Sequence, residues 1–222
     1  MIRFKTYDEA KEFLYDTKDF LHPGDVGVQG GRSFISSAIR FFRRSDVNHA
    51  WIADKDNMCI EACWNGVRRR HVINKVEKGN IIRVYRGQPF TGEELQAVMR
   101  VAKSFISKPY AYEELVFQAP DSFLEKYILF PISHIIPGLP KKVQLFSKYQ
   151  RRGAYICSEV VAEAYYRGAG YFFGKDDPAG IWDVKNTTPD EIDEQCKDSL
   201  IWNTVLEMYE GEKSGIVGYA ID

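Results

Sequence analysis

A cysteine at the predicted start of a helix is the residue of this 222-residue sequence best suited to covalent chemistry. Cys157 opens the segment Cys-Ser-Glu, and the helix that follows is predicted to end near Arg167, just before Gly168 and Gly170. The unpaired N–H groups and the positive dipole end of a helix start favour the thiolate, the nucleophilic form of cysteine. The same N–H groups can stabilise an oxyanion. A small, inert residue at the start of a core helix is the alternative interpretation.

A nucleophilic thiol needs a base within hydrogen-bond reach, and His49 is the best candidate among the four histidines. It lies in the predicted strand 48–53, which would hold the ring on a rigid element at the rim of a sheet. Glu61, in the next predicted strand, can orient that ring if the two strands pair across the turn 54–57. A carboxylate between apolar residues needs a partner, because burying it alone is costly. A structural histidine and an exposed edge-strand glutamate are the alternatives.

Two further cysteines lie beside this glutamate and suggest a different kind of site. Cys59 and Cys63 flank Glu61 at even spacing, so all three side chains would project from one face of a strand. Together with His71 they could suggest a metal site. Structural zinc sites, however, usually use Cys-x2-Cys turns rather than a strand face. Packing of small apolar side chains is the better interpretation, and we predict neither a metal nor another cofactor.

Capping and turn signals predict the elements that must position these residues. Capping boxes begin at Thr6, Thr91 and Thr188, and Asn65-Gly66 between two extended runs is a strong hairpin signal. The order of helices, then consecutive strands, then helices predicts an α+β fold with an antiparallel sheet or a small barrel. Predicted helices span about 6–21, 33–44, 91–107, 157–167 and 188–198, and predicted strands about 26–31, 48–53, 58–64, 66–73, 80–85 and 201–209.

Composition excludes several classes of protein. Thirty Lys and Arg against 31 Asp and Glu give a net charge of -1, which argues against a dedicated nucleic-acid binder. A hydrophobic content of 45% excludes a disordered chain and suits a single domain over 1–222. No secretory signal or membrane-spanning run is visible, and four cysteines are too few for a disulfide scaffold. These features predict a cytoplasmic location.

The stretch 113–152 differs from the rest of the sequence. It combines several prolines with many aromatic and aliphatic residues, which is untypical of a solvated linker. We therefore predict an ordered hydrophobic insertion that is partly helical near 122–130. Such a segment could form a lid, an oligomer contact or a membrane-facing surface.

The residues singled out above lie in segments that resemble those of a known family. The family is that of the permuted papain-like cysteine amidases, the YaeF/YiiX-like branch of the NlpC superfamily. His49 and Glu61 precede Cys157, which is the permuted order, whereas ordinary papain-like enzymes place the cysteine first. Six segments carry the resemblance in the family's order: Pro23-Gly-Asp25, Asn48-His-Ala-Trp-Ile52, Ile60-Glu-Ala62 with Gly66-Val67, Lys108-Pro-Tyr-Ala-Tyr112, Tyr155-Ile-Cys-Ser-Glu159 and Thr188-Pro-Asp-Glu-Ile192.

The resemblance implies a function and a role for each residue. It implies Cys157 as nucleophile, His49 as general base and acid, and Glu61 as the residue that orients His49. Tyr110 and Tyr155 would line the substrate site. The implied protein is a thiol hydrolase of the amidase or peptidase type, which forms an acyl-enzyme on the cysteine without a metal. The implied fold is a small sheet or barrel against which the helix of the cysteine packs.

Two other functions remain open. Permuted relatives that resemble lecithin:retinol acyltransferase act on lipids, so a lipid or ester acyl hydrolase or acyltransferase is one alternative. The apolar stretch 115–145 would then contact the acyl chain. A non-catalytic binding protein on the same fold is the second. The missing export signal argues against peptidoglycan as the substrate, which leaves a small-molecule, peptide-like or acyl substrate.

Overall fold

The computed structural model describes residues 1–30, 45–63, 65–75, 81–111, 155–173, 184 and 187–209. These residues form an α+β fold in which one mixed sheet packs against helices. The strands are β1 (Ile2–Phe4), β2 (Val26–Gly30), β3 (His49–Asp54), β4 (Met58–Cys63), β5 (Gly66–His71), β6 (Ile81–Gly87) and β7 (Trp202–Tyr209). The helices are α1 (Tyr7–Asp16), α2 (Gly92–Ser104), α3 (Cys157–Ala169) and α4 (Pro189–Asp198), and a 3-10 turn spans Val72–Lys75.

The sheet is open and mostly antiparallel. Its strand order is β1-β7-β6-β2-β3-β4-β5, and among these neighbours only β1 and β7 run parallel. Of the two predicted alternatives, the sheet rather than the small barrel is formed. The hairpin predicted at Asn65-Gly66 is present, because β4 and β5 pair from Met58 with His71 to Cys63 with Gly66. The β2–β3–β4–β5 half of the sheet therefore carries both polar candidates, His49 and Glu61.

Alternating side chains of β3 supply two hydrophobic cores on opposite faces of the sheet. Ala50 and Ile52 belong to the larger core, which includes residues of α2 and α3. Trp51 and Ala53 belong to the second core, which includes residues of α1. Strands buried on both faces hold their backbone rigidly, so a side chain at the start of β3 has a fixed position.

The first helix is shorter than predicted. It ends at Asp16 rather than near residue 21, and Asp19 has a φ of 62°, in the left-handed region that ends helices. The side chain of Asn57 explains this end, because its amide donates a hydrogen bond of 2.7 Å to the carbonyl of Thr17. Asn57 Oδ1 also accepts the N–H of Leu21 at 3.2 Å. This long-range cap turns the chain toward the core, and local sequence does not encode it.

The strand predicted to run to residue 73 also ends early, at His71. Val72 donates its N–H to the carbonyl of Asn57 at 2.8 Å, and Ile73 donates to His71 Nδ1 at 3.2 Å. These bonds turn the chain into the 3-10 turn. The other predicted elements that fall on described residues are present, with ends shifted by up to three residues.

Some sequence predictions concern residues outside the described ranges. The helix predicted at 33–44 and the entire insertion predicted at 113–152, with its helix near 122–130, lie outside them. The single domain over 1–222 stays a prediction. Within the described residues, no helix combines the length and apolar character required to cross a membrane. The cytoplasmic location likewise stays a prediction.

A glycine of α3 allows α2 to approach closely, and this contact yields a stability prediction. A Cβ at Gly168 would lie 2.5 Å from the Cα of Val98, whereas a Cβ at Gly92 would meet nothing within 4 Å. Gly168→Ala is expected to destabilise the protein by about 1–3 kcal/mol through overpacking, despite the better helix propensity of alanine. Urea unfolding measures the effect, and Gly92→Ala is the matched control. Equal stability of the two variants would contradict the proposed close packing.

Candidate active site

The first turn of α3 fixes the position of the candidate nucleophile. Cys157 is the first residue of the helix and follows Ile156, whose apolar side chain cannot cap the helix. The cap comes from within the helix instead, because Glu159 Oε2 accepts the N–H of Ile156 at 2.8 Å. A buried carboxylate at this end also interacts favourably with the helix dipole. The motif Cys-Ser-Glu therefore places the thiol at the helix start and stabilises that start.

The pairing of β3 with β4 brings the predicted base and its orienting residue together. The strands pair through Ile52 with Ile60, and continuing this register places Glu61 diagonally across from His49. Diagonal neighbours on one face are within reach of long or aromatic side chains. The His49 Nε2–H donates to Glu61 Oε2 at 2.6 Å. The glutamate side chain is fully buried, and the histidine side chain is 17% exposed.

The sulfur of Cys157 contacts the same histidine. It is hydrogen-bonded to the His49 side chain, and the backbone N–H groups of Ala50 and Ser158 donate to it. Because Nε2 of His49 binds Glu61, Nδ1 is the ring nitrogen that remains for the sulfur. The thiol is buried, with Cys157 5% exposed. The structure thus joins Glu61, His49 and Cys157 in one hydrogen-bonded series.

These contacts shift the pKa values of both partners toward an ion pair. Burial raises the pKa of Cys157, but the charge of His49, its hydrogen bond and the two backbone N–H groups outweigh burial and lower it. Burial lowers the pKa of His49, but the Cys157 thiolate and the hydrogen bonds that the ring donates to Cys157 and Glu61 raise it to about 9. Both directions favour a thiolate beside an imidazolium at neutral pH.

Glu61 stays ionised although it is buried. Burial raises its pKa, but the hydrogen bond and charge of His49, followed by the charge of Lys75, lower it to about 2. Lys75 Nζ contacts Glu61 Oε2, the oxygen that also accepts from His49. Arg70 Nε lies 3.9 Å from the other oxygen, Oε1. The carboxylate thus faces an imidazole and two cationic side chains.

Lys75 is a residue of this cluster that the sequence analysis missed. The hairpin signal at Asn65-Gly66 predicts that β5 pairs with β4. A strand that continued to residue 73, as predicted, would place Lys75 beyond the end of the sheet and away from Glu61. The 3-10 turn that brings it back depends on the long-range bond from Val72 to Asn57. The sequence feature that could have indicated this contact is the position of Lys75, a few residues after the strand that pairs with Glu61.

The two tyrosines predicted to line the substrate site lie on the approach to α3. Tyr110 and Tyr155 form a parallel β-bridge, in which Tyr155 donates to the carbonyl of Pro109 at 3.1 Å and Ala111 donates to that of Tyr155 at 3.2 Å. The Tyr155 ring lies 4.5 Å from that of Phe105. These contacts anchor the segment before Cys157. A role of either tyrosine in substrate binding stays a prediction.

Cys59, Cys63 and His71, the residues considered for a metal site, have separate partners. Cys59 is buried in the second core, and burial raises the pKa of its thiol to about 12. The Cys63 thiol donates to Asn65 Oδ1 at 3.1 Å, and His71 Nδ1 accepts the N–H of Ile73. In the part of the chain that the structure describes, no group of three His, Cys, Asp or Glu side chains is arranged to hold a metal ion.

The fold is similar to that of a solved protein. The crystal structure of the metalloprotein YiiX from Escherichia coli superposes with a TM-score of 0.50 at 18% sequence identity. The match covers 83% of this chain and 96% of that chain. At this identity the similarity concerns the fold alone. No family model matches the sequence, and no curated protein matches it.

Proposed function

We propose that this protein is a cysteine-dependent hydrolase of the permuted papain-like class, in the YiiX-like branch of the NlpC superfamily. The observation that carries the proposal is the hydrogen-bonded series from Glu61 through His49 to Cys157, with the sulfur at the start of α3. Nucleophilic thiol catalysis needs this combination of a thiolate, a base and a group that orients the base. The YiiX-like fold and the order histidine, glutamate, cysteine along the chain support the same class.

In the first half of the proposed reaction, the Cys157 thiolate attacks the carbonyl carbon of an amide or ester. A C–S bond forms, and an electron pair of the carbonyl moves onto its oxygen. N–H groups in the first turn of α3 supply donors for this oxyanion. When the intermediate collapses, the bond to the leaving nitrogen or oxygen breaks. The His49 imidazolium gives its proton to the leaving group, which yields a thioester on Cys157.

In the second half, water hydrolyses the thioester. Neutral His49 takes a proton from the water as its oxygen attacks the acyl carbon, and the C–S bond breaks to return the thiolate and the imidazolium. Glu61 accepts the Nε2–H throughout, which fixes the ring orientation and stabilises its positive charge. Because the Glu61 pKa is about 2, the carboxylate holds the ring without taking its proton.

Amides of the peptide or isopeptide type are the proposed substrates, and Tyr110 and Tyr155 are proposed to contact them. YiiX is described as a metalloprotein, and a metal bound here would need ligands that converge on one point. His49 lies between Glu61 and Cys157, and its two ring nitrogens bind these two side chains. The three side chains therefore do not converge on a common point as metal ligands would. The proposed reaction therefore uses these side chains alone.

The test is to trap the acyl-enzyme. The protein is mixed with a panel of p-nitrophenyl acyl esters and aminoacyl or peptidyl anilides, and intact-protein mass spectrometry follows the adduct. We expect an acyl mass on Cys157 together with turnover, and both should disappear in Cys157→Ala. Cys63→Ala is the matched control, because it removes a partly exposed thiol outside the series and should leave both intact. An absence of adduct and turnover across the panel would contradict the proposal.

A further inference from the structure

Lys75 lies where a lysine is rarely found. Its side chain is only 10% exposed, and its Nζ contacts the fully buried Glu61 carboxylate. Lysines are seldom buried unless a charged partner compensates them. The lysine is also held in place, because it ends the 3-10 turn whose first residue, Val72, is buried and hydrogen-bonded to Asn57. An ammonium fixed beside the carboxylate that orients His49 can affect both the position of that carboxylate and the ionisation of His49 and Cys157.

The contacts of Glu61 are unequal between its two oxygens. Oε2 receives both the His49 Nε2–H and the Lys75 ammonium. Oε1 has no hydrogen-bond donor among the described residues, and Arg70 Nε stands 3.9 Å from it. The lysine therefore binds the oxygen that accepts from the imidazole. This geometry restrains rotation of the carboxylate away from His49.

Charge balance gives Lys75 a second effect. With the lysine present, the buried set of Glu61, Lys75, His49 and Cys157 is electrically neutral whether the shared proton is on sulfur or on the imidazole. Without it, the set would carry one net negative charge in either state and would be stabilised by an additional proton. A buried uncompensated charge is costly, so proton uptake would follow at higher pH than in the wild type.

We infer that Lys75 is a positioning residue, which holds Glu61 against His49 and sets the pH range over which the Cys157 thiolate exists. Among the described residues, the charged and titratable groups around His49 come from four elements: Cys157 on α3, Glu61 on β4, Arg70 on β5 beyond the carboxylate, and Lys75 on the 3-10 turn. Arg70 is 38% exposed, so solvent screens its charge more than that of the lysine. The consequence for catalysis rests on the proposed function, whereas the effect on the thiol does not.

The direction of the effect follows from electrostatics. A nearby positive charge disfavours every added proton, so it lowers the pKa of the thiol and of the imidazolium alike. The charge of Lys75 does lower the pKa of His49, against the larger opposing influence of the thiolate. Removing the charge should therefore move both ionisations of the pair to higher pH.

The test is the pH dependence of iodoacetamide alkylation at Cys157, followed by peptide mass spectrometry. In Lys75→Met, we expect thiolate formation and the deprotonation of His49 each to move up by about one pH unit, because the lost charge lay across the Glu61 carboxylate from His49. Lys75→Arg, which keeps the charge, should restore most of the wild-type profile. Lys103→Met is the matched control, because it removes the lysine beside another buried carboxylate, Asp54, away from this site.

Other outcomes overturn the inference. One is an alkylation pH profile of Lys75→Met that matches that of the wild type. Another is a shift in Lys75→Arg or Lys103→Met as large as that in Lys75→Met. A third is a wild-type Cys157 whose alkylation follows the pH profile of an ordinary thiol. If Lys75→Met fails to fold, Lys75→Gln replaces it in the test, because glutamine removes the charge but keeps a hydrogen-bond donor beside Glu61. The inference then requires the same upward shift in the alkylation pH profile of Lys75→Gln. The expected shift without acyl-enzyme trapping would contradict the proposed function and leave this inference intact.

Discussion

Replacing His49 with alanine is expected to slow the alkylation of Cys157 at pH 7 by about tenfold or more. In the wild type the imidazolium outweighs burial and lowers the pKa of the thiol. Without it burial dominates, and the pKa should rise to or above the ordinary value of ~8.5, where only a few per cent of the thiol is ionised at pH 7. Alkylation by iodoacetamide, resolved for each cysteine by mass spectrometry, measures the change directly.

The complete pH profile makes this prediction more specific. Wild-type Cys157 should begin to react well below pH 8.5 and show a second step near pH 9, where His49 loses its proton. His49→Ala should show one step at higher pH. His71→Ala is the matched control, since that ring is in the same half of the sheet and contacts the N–H of Ile73 rather than the thiol. Indistinguishable profiles for wild type and His49→Ala would contradict a thiolate–imidazolium pair.

Local sequence patterns singled out the three residues of the hydrogen-bonded series as candidates, with a structural alternative open for each. Cys157 follows an irregular segment and precedes a helical pattern, and helix starts have a recognisable chemistry. His49 and Glu61 lie on strands joined by a short turn, and a short turn requires antiparallel neighbours. The resemblance to the permuted papain-like family then implied their roles. The structure supplies what these patterns lack, which is the actual contact between the three side chains.

The features that the sequence did not reveal depend on contacts between distant segments. The strand β1 has three residues, too few to show an alternating pattern, and its partner β7 lies about two hundred residues further along the chain. Asn57 closes the end of α1 and also accepts from Val72, so one side chain and its backbone set two boundaries. Lys75 reaches Glu61 only because the second boundary turns the chain. Periodicity and propensity describe neighbours in sequence, so they cannot anticipate such contacts.

Glu61→Gln is expected to be the most destabilising single change at the site, at about 3–5 kcal/mol at pH 7. The glutamine would leave the buried Lys75 ammonium beside a neutral amide, and His49 would lose the charge that supports its imidazolium. Urea unfolding measures the loss of stability. We also expect slower alkylation of Cys157, because a weaker imidazolium stabilises the thiolate less.

A matched control separates the two effects of Glu61→Gln. Asp54 is another buried carboxylate with two cationic partners, Arg69 at 2.7 Å and Lys103 at 2.9 Å. Asp54→Asn should therefore also reduce stability, but alkylation of Cys157 should not change. If both variants slowed alkylation equally, the effect would reflect general loosening of the fold rather than the charge on Glu61.

The stability difference between wild type and Glu61→Gln should also depend on pH. The pKa of Glu61 is lowered from 4.5 to about 2 in the folded protein, so the folded state binds this proton less readily than the unfolded chain does. The carboxylate therefore contributes its full stabilisation above pH 4.5, and the contribution is lost as the pH falls toward 2. Urea unfolding at several pH values between 6 and 2.5 (about the range that Glu61 titrates) should show the difference narrowing. A difference that stays constant over this range would mean that the charge of Glu61 does not stabilise the folded protein.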